Sequence, residues 1–368
     1  MPFSPVLERP RRLARAAPLF APSAVAEPRI QYARTSDNVD IAYYGIGNGE
    51  PLVALAGGGG LSHLAREWQY PEQRAWIERL ASHHRVFRLD HRGTGLSDRD
   101  VSFDLERAVL DIEAVAQKEG LRQFALLGQL HTAGTAVAYA ARYPDRVSRL
   151  VLWSPFASYE EFLESSPPIQ AARAAAAKDW ATYTELIALV ACAWNDIDQA
   201  RRLAAYYRES TNEDRYVEAM ERFTQFDVSA ELRELTMPVL VLHRREAAFP
   251  SIEVVSKFAG DVASARLVLL QGSSALPFLG EMDDVFAAVD DFLAKPKTRS
   301  QSLGLTQRES EILALLAAGE SNKEIARALS ISTRTVERHI GNVYTKIGAH
   351  NRAQATAYAF RHGIATRE

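Results

Sequence analysis

The sequence predicts an α/β fold, with a mostly parallel sheet and a helical lid, followed by a small all-α domain of four helices. Residues 30–294 alternate apolar runs of strand length with helical stretches, which is typical of a parallel sheet covered by helices. Residues 156–232 interrupt this alternation with helical, Ala-rich and aromatic-rich sequence, which predicts an inserted lid. A polar linker at 295–304 precedes the all-α domain at 305–368, and residues 1–29 are expected to form an N-terminal arm.

The elements of the large domain follow from the length and spacing of their apolar residues. Six strands are predicted, at 51–56, 86–89, 124–127, 150–153, 239–243 and 267–270. Helices are predicted between them, among them 75–80, 105–119 and 133–143.

Composition excludes several classes of protein. The 368 residues are 47% hydrophobic and 24% charged, as in globular proteins of two domains. No apolar run approaches the roughly 20 residues that cross a bilayer, so we expect no membrane span. The single Cys192 cannot form an internal disulfide, and no Cys/His cluster suggests a metal site. We therefore expect a cytoplasmic protein without metal or cofactor.

Charge is divided unequally between the two domains. Residues 295–368 contain 12 Lys/Arg and 6 Asp/Glu, a net charge of +6, whereas residues 1–294 contain 31 and 40, a net charge of −9. A basic C-terminal domain on an acidic body favours a polyanionic partner for the C-terminal domain, although small domains often vary by several charges.

Each of the four C-terminal helices has its own start signal. The runs at 306–309 and 321–324 both have the S/T-x-x-E spacing of a capping box. Ser332 or Thr333 caps a longer third helix, and Asn351 opens a fourth. A short helix, a tight turn and a longer helix with a polar outer face is the arrangement that enters the major groove of DNA.

The polar face of the third helix carries the predicted DNA contacts. Arg338 has the donors to recognise guanine, and Glu337 can accept a hydrogen bond from cytosine. The residues predicted to contact bases or phosphates are Lys323, Thr333, Arg334, Thr335, Glu337, Arg338, His339, Asn342 and Lys346. The periodicity alone fits equally well a small helical bundle with a solvated charged face.

Four runs of residues in order resemble the LuxR/GerE-type helix-turn-helix over about sixty positions. They are Leu-Thr-Gln-Arg-Glu at 305–309, Ala-Gly-Glu-Ser-Asn-Lys-Glu-Ile-Ala at 318–326, Ser-Thr-Arg-Thr-Val-Glu-Arg-His at 332–339, and 346–352. The resemblance implies a homodimer, formed through the fourth helix, that binds a palindromic-type operator in double-stranded DNA. The candidates for the dimer face are Ala353, Ala355, Thr356 and Ala357.

The large domain resembles the α/β-hydrolase family over nearly its whole length. The Gly run at 57–60 resembles the oxyanion loop, and Asp-His-Arg-Gly-Thr-Gly-Leu-Ser-Asp at 90–98 resembles the family's Arg-Gly-x-Gly-x-Ser turn. Residues 138–144 resemble the helix after the nucleophile, and 276–278 the residues after the catalytic His. The resemblance implies the fold, whereas function depends on the residues of the site.

The nucleophile turn of the family is altered in this sequence. Hydrolase chemistry needs Ser in a Gly-x-Ser-x-Gly turn, and the turn here reads Gly-Gln-Leu-His-Thr at 128–132. Leu130 stands at the nucleophile position and has no atom that can attack a carbonyl. Thr132 replaces the second Gly, and we expect the strained turn to relax.

The other two triad positions are altered as well. Glu246 or Ala247 stands at the position of the acid, and Ala275 at that of the His. Since loss of even one triad member costs on the order of 10⁴-fold or more in rate, we predict that the domain has no hydrolase activity and that the protein is not an enzyme.

The pocket of the fold is expected to remain after the triad is lost, and to bind a small apolar ligand. The predicted ligand-binding residues are Gly57, Gly58, Leu130, His131, Trp153, Glu246 and Ala275. The sequence thus predicts a transcriptional regulator with a sensor domain. Two alternatives stay open: the hydrolase-like domain serves only for dimerisation or partner binding, or it retains some hydrolase activity.

Overall fold

The computed structural model describes residues 27–56, 61–102, 104–176, 179–223, 226–294, 305–362 and 364. The chain divides into two compact units, Met1–Met282 and Asp283–Glu368. The predicted linker and most of the predicted N-terminal arm lie outside the described residues.

A mixed sheet forms the core of the first unit. Its strands, among the described residues, are β1 (Gln31–Arg34), β2 (Asp40–Ile46), β3 (Glu50–Ala54), β4 (His84–Leu89), β5 (Phe124–Gln129), β6 (Val147–Trp153), β7 (Val239–Arg244) and β8 (Ala265–Leu270). They lie in the order β1-β2-β4-β3-β5-β6-β7-β8. β1 and β2 are antiparallel additions, while β3 to β8 run parallel. The central strands are buried because helices cover both faces of a parallel sheet.

Helices connect the parallel strands. They are α1 (Leu64–Gln69), α2 (Pro71–Ala81), α3 (Leu105–Lys118), α4 (His131–Arg142) and α10 (Ile252–Asp261). Between β6 and β7 lie α5 (Tyr159–Glu164), α6 (Pro167–Ala176), α7 (Trp180–Ala191), α8 (Ile197–Ser210) and α9 (Glu213–Phe223), which we call the lid. Carboxylates start α3, α7 and α8, since the side chains of Asp104, Asp179 and Asp196 accept hydrogen bonds from backbone N–H groups of the first turn.

The fold class predicted from the sequence is confirmed. The six predicted strands correspond to β3 to β8, with ends that differ by at most a few residues. The prediction missed β1 and β2. The signal for β2 was present, because Ile41, Tyr43 and Tyr44 belong to the aromatic and β-branched types that favour strands.

The second unit is helical throughout its described elements. They are α11 (Asp283–Leu293), α12 (Gln307–Ala317), α13 (Asn322–Ala328), α14 (Thr333–Ile347) and α15 (Arg352–Arg361). Both predicted capping boxes are present, at Thr306 with Glu309 and at Ser321 with Glu324. Apolar residues of α12 to α15 form one core cluster, which includes Ile312, Leu313, Ile325, Val336, Val343 and Ala359. None of the helices that the structure describes is long and apolar enough to cross a membrane.

Candidate functional site

Leu130 occupies a strained backbone conformation between β5 and α4. Its φ is 50° and its ψ is −119°, a combination that a residue other than Gly adopts at a cost of about 1–3 kcal/mol. The side chain is 4% exposed. The expectation that this turn relaxes is therefore wrong, because the sharp strand-to-helix turn of a nucleophile elbow is kept with Leu at its apex.

Contacts around the turn explain why the strain persists. The Thr132 hydroxyl accepts a hydrogen bond from the backbone N–H of Gln129 at 3.1 Å and donates one to its carbonyl at 3.0 Å. Gly128 permits the close approach of β5 and α4, since a Cβ there would lie 2.7 Å from the Thr132 carbonyl oxygen. Thr132 thus supplies hydrogen bonds where the family has its second Gly.

Ala275, the residue predicted at the position of the family's His, holds the loop after β8 to its surroundings. Its N–H donates to the Ala191 carbonyl of α7 at 3.0 Å, and its carbonyl accepts from the Trp153 indole N–H at 2.7 Å. Glu246, one of the two residues predicted at the position of the acid, has an exposed side chain, and its backbone N–H donates to the Gly272 carbonyl at 3.2 Å. The other, Ala247, donates its N–H to the Arg244 carbonyl at 3.1 Å.

A buried guanidinium holds the same loop, and no carboxylate among the described residues forms an ion pair with it. Arg244 donates to the carbonyls of Ser274, Leu276 and Glu281 at 2.8 to 3.2 Å. Its guanidinium also lies 5.1 Å from the ring centroid of Trp153. Burial lowers the pKa of Arg244 to about 10, so the group stays protonated at neutral pH.

A cavity of about 60 Å³ lies beside the Leu130 turn and under the lid. Its walls combine the ends of the parallel strands with all the lid helices, which is where ligands bind in open α/β sheets. The lining residues are Leu61, Gln73, Leu130, His131, Tyr159, Phe162, Ile169, Arg173, Tyr183, Ile187, Ala191, Tyr206, Tyr207, Tyr216, Phe249, Leu276 and Phe278. The walls are mainly aromatic and aliphatic, with a few polar groups.

The predicted ligand-binding residues divide into three groups. Leu130 and His131 line the cavity. Trp153, Ala275 and Glu246 are not among its lining residues. Trp153 and Ala275 are hydrogen-bonded to each other, and Glu246 faces solvent. Gly57 and Gly58 lie outside the described residues.

His131 lies in an aromatic surrounding. Its ring centroid is 5.3 Å from Phe156, 5.8 Å from Tyr159 and 5.2 Å from Phe162. Burial, assisted by the positive charge of Arg173, lowers the pKa of His131 to about 3. The imidazole is therefore neutral at physiological pH and contributes a ring wall rather than a charge.

One Ser–His hydrogen bond lies near the strand ends but away from the cavity walls. Ser154, which follows β6, lies 3.0 Å from Nδ1 of His243 in β7. Both side chains are fully buried and neither lines the cavity. Burial lowers the pKa of His243 to about 4. Among the described residues, no group of three or more His, Cys, Asp or Glu side chains is placed to hold a metal ion.

The third helix of the C-terminal unit, α14, presents most of the predicted DNA contacts. Arg334, Glu337, Arg338 and Asn342 are exposed on α14, and Lys323 is exposed on α13. Thr333, Thr335 and His339 are partly buried. The Thr335 hydroxyl lies 2.8 Å from that of Ser332, which caps the helix.

Lys346 is engaged in an ion pair within the C-terminal unit. Its ammonium lies 2.7 Å from the Glu309 carboxylate, and the Lys346 side chain is 37% exposed. Although burial acts in the opposite direction, this contact and the hydrogen bonds from Thr306 lower the pKa of Glu309. The pair ties the end of α14 to the start of α12.

The predicted dimer face on α15 needs one correction. Ala355 is 0% exposed and belongs to the helical core cluster, so it is not available to a partner. Ala353 and Ala357 are exposed, and Thr356 is partly exposed. The helical spacing that places 353 and 357 on one face places 355 on the opposite one.

The C-terminal unit matches a known family of regulators. Residues 303–359 match the family model described as bacterial regulatory proteins, luxR family. This segment is a LuxR-family DNA-binding domain. Two relatives of it are the response regulator protein VraR of Staphylococcus aureus and that of Staphylococcus epidermidis, each 48% identical over 60 residues. The match covers 16% of this chain and 29% of either relative, so the similarity lies in the LuxR-family domain alone.

The first unit has the α/β-hydrolase fold. Residues 50–191 match the α/β-hydrolase fold model. A hydrolase from Pseudomonas aeruginosa PA01 is similar with a TM-score of 0.60 and 24% identity, over 72% of this chain and 98% of that one. An esterase from Rhodococcus is similar with a TM-score of 0.61 and 21% identity, over 72% and 98%. The LuxR-family domain is thus joined to a hydrolase fold.

Sequence reasoning missed most of the cavity walls. Arg173, Tyr183 and Tyr216 come from three different lid helices, and Gln73 comes from α2. The aromatic richness of the lid was visible in the sequence. Which of its aromatic side chains face the cavity depends on how α5 to α9 pack against one another.

Proposed function

We propose that the protein is a dimeric transcriptional regulator in which the LuxR-family domain binds an operator and the hydrolase-like domain senses a small molecule. The observation that carries the proposal is Leu130. The backbone that presents a nucleophile is kept in its strained form, the cavity beside it is open, and the apex side chain is a hydrocarbon. This combination supports the binding of a small molecule without its hydrolysis.

The proposal includes the absence of hydrolase activity. Acyl transfer needs a nucleophile in hydrogen-bond reach of a base, and that base in reach of an orienting group. Leu130 and Ala275 supply neither, and Glu246 faces solvent. The buried Ser154–His243 pair lies outside the cavity walls, so a bound ester would not reach it.

Sensing would act on DNA binding by a shift between two arrangements of the dimer. A ligand changes such an equilibrium only by binding one arrangement more tightly than the other. Two α14 helices must be spaced to meet successive half-sites of an operator, so a change in spacing changes affinity for DNA. We place the protein in the cytoplasm, with the nucleoid as its site of action.

The DNA-binding part is tested with the full chain and DNA selected from a random pool. We expect Arg338→Ala to weaken binding to the selected site by about 1–3 kcal/mol and to relax specificity at one base position. Arg201→Ala is the matched control, since Arg201 is 74% exposed on α8 of the first unit. Equal losses for both variants would contradict the proposal.

The sensing part is tested by filling the cavity. Ile187 of α7 is a partly buried lining residue, and Ile187→Trp should occupy the space beside Leu130. We expect a low-molecular-weight cell extract to raise the unfolding temperature of the native protein but not of this variant. No response in either protein would favour a dimerisation or partner-binding module, and ester turnover that is lost on unfolding would favour an enzyme.

A further inference from the structure

One residue that lines the cavity is an arginine for which the described part of the chain supplies no ion-pair partner. Arg173 of α6 is partly buried, lines the cavity and lies 5.4 Å from the ring centroid of Tyr159. Among the described residues, no carboxylate forms an ion pair with it. A partly desolvated guanidinium that faces a cavity favours an anion with two oxygens, which it can bind in a fork.

The side chains around Arg173 are neutral. Its positive charge helps to lower the pKa of His131, which stays neutral, and it opposes the effect of burial on the pKa of Tyr159. The hydroxyls of Tyr183 and Tyr216 are hydrogen-bonded to each other. The cavity therefore has one positive charge, at Arg173, and none of its described lining residues is a carboxylate that could neutralise it.

A second lining residue has an acceptor for which the described residues supply no donor. Gln73 is 2% exposed and its Nε2 donates to the Glu67 carboxylate at 2.9 Å. Glu67 also accepts from the Tyr44 hydroxyl at 2.6 Å and forms a buried ion pair with Arg88, which fixes the orientation of the Gln73 amide. Within the described residues, Gln73 Oε1 has no hydrogen-bond partner. A buried carbonyl in this state favours a ligand with an O–H group.

Different charged groups act on two tyrosines that line the cavity. The pKa of Tyr206 is raised by burial and by the nearby Glu67 and Asp90, and Arg88 opposes the rise. The pKa of Tyr183 is raised by burial, and there Arg173 opposes the rise. The lining thus includes a positive group on α6, an acceptor that seeks a donor on α2, and hydrocarbon side chains such as Leu130.

The size of the cavity limits the ligand. At about 60 Å³ the cavity is far smaller than the roughly 300–1,000 Å³ of a pocket for a drug-sized molecule, so it favours a small ligand. From these three observations we propose that the cavity binds a short hydroxycarboxylate, with its carboxylate on Arg173 and its hydroxyl donating to Gln73. The proposal rests on the sensing function proposed above and adds the chemical class of the ligand.

The test compares three probes of nearly equal size on the full-length protein: 3-hydroxypropionate, 3-hydroxypropionamide and propionate. The amide lacks the charge, and propionate lacks the hydroxyl. Since a ligand of about six atoms gains at most about 1.5 kcal/mol per atom, we expect micromolar to millimolar affinity, measured by calorimetry. We expect 3-hydroxypropionate to bind at least about tenfold more tightly than the amide and several-fold more tightly than propionate.

Two matched variants locate the charge. Arg173→Gln should remove the preference for the acid over the amide, while Arg201→Gln on the exposed face of α8 should keep it. Far-ultraviolet circular dichroism and the unfolding temperature establish that both variants are folded. The proposal would be overturned if a folded Arg173→Gln variant kept the preference for the acid over the amide. It would also be overturned if the native protein bound the amide, propionate or inorganic phosphate as tightly as it binds 3-hydroxypropionate.

A second readout separates this proposal from the sensing function. Binding of 3-hydroxypropionate that leaves operator affinity unchanged would support the ligand class and contradict the sensing function. An unrelated ligand that changes operator affinity, in the absence of 3-hydroxypropionate binding, would overturn the ligand class and leave the sensing function standing.

Discussion

The strained turn at Leu130 gives a prediction in which Gly stabilises a protein relative to Ala. Both Leu130→Ala and Leu130→Gly remove the same buried side chain, and each should cost about 2–5 kcal/mol from lost packing. They differ in one methyl group, which Ala keeps, and in backbone behaviour, because Gly adopts φ 50°, ψ −119° without strain and Ala does not.

The size of the difference follows from three terms. Relief of strain favours the Gly variant by about 1–3 kcal/mol. The greater freedom of Gly in the unfolded chain disfavours it by about 0.4–1 kcal/mol. The buried methyl group that Ala keeps disfavours it by about 0.8 kcal/mol more. We therefore expect Leu130→Gly to be more stable than Leu130→Ala by up to about 2 kcal/mol. The control is Ala171→Gly at an exposed position of α6. There we expect Gly to lower the free energy of unfolding by about 0.5–1 kcal/mol relative to Ala, as it does inside helices in general.

Tryptophan fluorescence in urea titrations measures these differences in the full chain. All five Trp residues lie between positions 68 and 194, so the signal reports the hydrolase-like unit alone. A Leu130→Ala variant that is more stable than Leu130→Gly by as much as the difference seen at the Ala171 control would refute the argument. It would mean that the turn relaxes in solution, as the sequence had led us to expect.

Three further predictions concern charged and titratable groups. The pKa of His131 is about 3 in the folded protein and 6.5 in the unfolded chain, so the unfolded chain binds more protons between these values and the free energy of unfolding falls as the pH falls. We expect this effect to cost about 2 kcal/mol between pH 7 and pH 5. Urea titrations of His131→Phe at both pH values should show a loss that is smaller by this amount. Arg244→Met should lower the free energy of unfolding by at least about 3 kcal/mol in the same assay, since three carbonyls lose their donor. A decrease below about 1 kcal/mol would contradict this reasoning. Lys323→Ala should reduce the slope of log affinity for DNA against log salt by about 1, whereas Lys346→Ala should change it less, because that ammonium is engaged by Glu309.

Local signals predicted the parts of the structure that are decided locally. A capping box is a contact between residues three positions apart, so Thr306 and Glu309 could be paired from the sequence. The exposed face of α14 followed from helical periodicity in the same way. Ala355 was misassigned because the resemblance indicated which helix forms the dimer face but not which side of it.

The cavity could not be predicted to the same extent, because its walls are non-local. Leu130 and His131 were found from one motif, but Arg173 and Gln73 lie in helices that meet only after the lid has packed. The relaxation expected at Leu130 was wrong because a missing Gly was read as a lost constraint. The Thr132 hydroxyl replaces that constraint with two hydrogen bonds, and such a substitution is visible only in three dimensions.

The persistence of the turn at Leu130 has an evolutionary consequence. Gly128 and Thr132 hold the backbone whether or not its apex residue does chemistry, so the codon for residue 130 can change without a new fold. A lineage could then pass between turnover and recognition through side-chain exchanges at a few positions, with every intermediate folded. The strain in the turn would remain in each descendant, whichever residue stands at position 130.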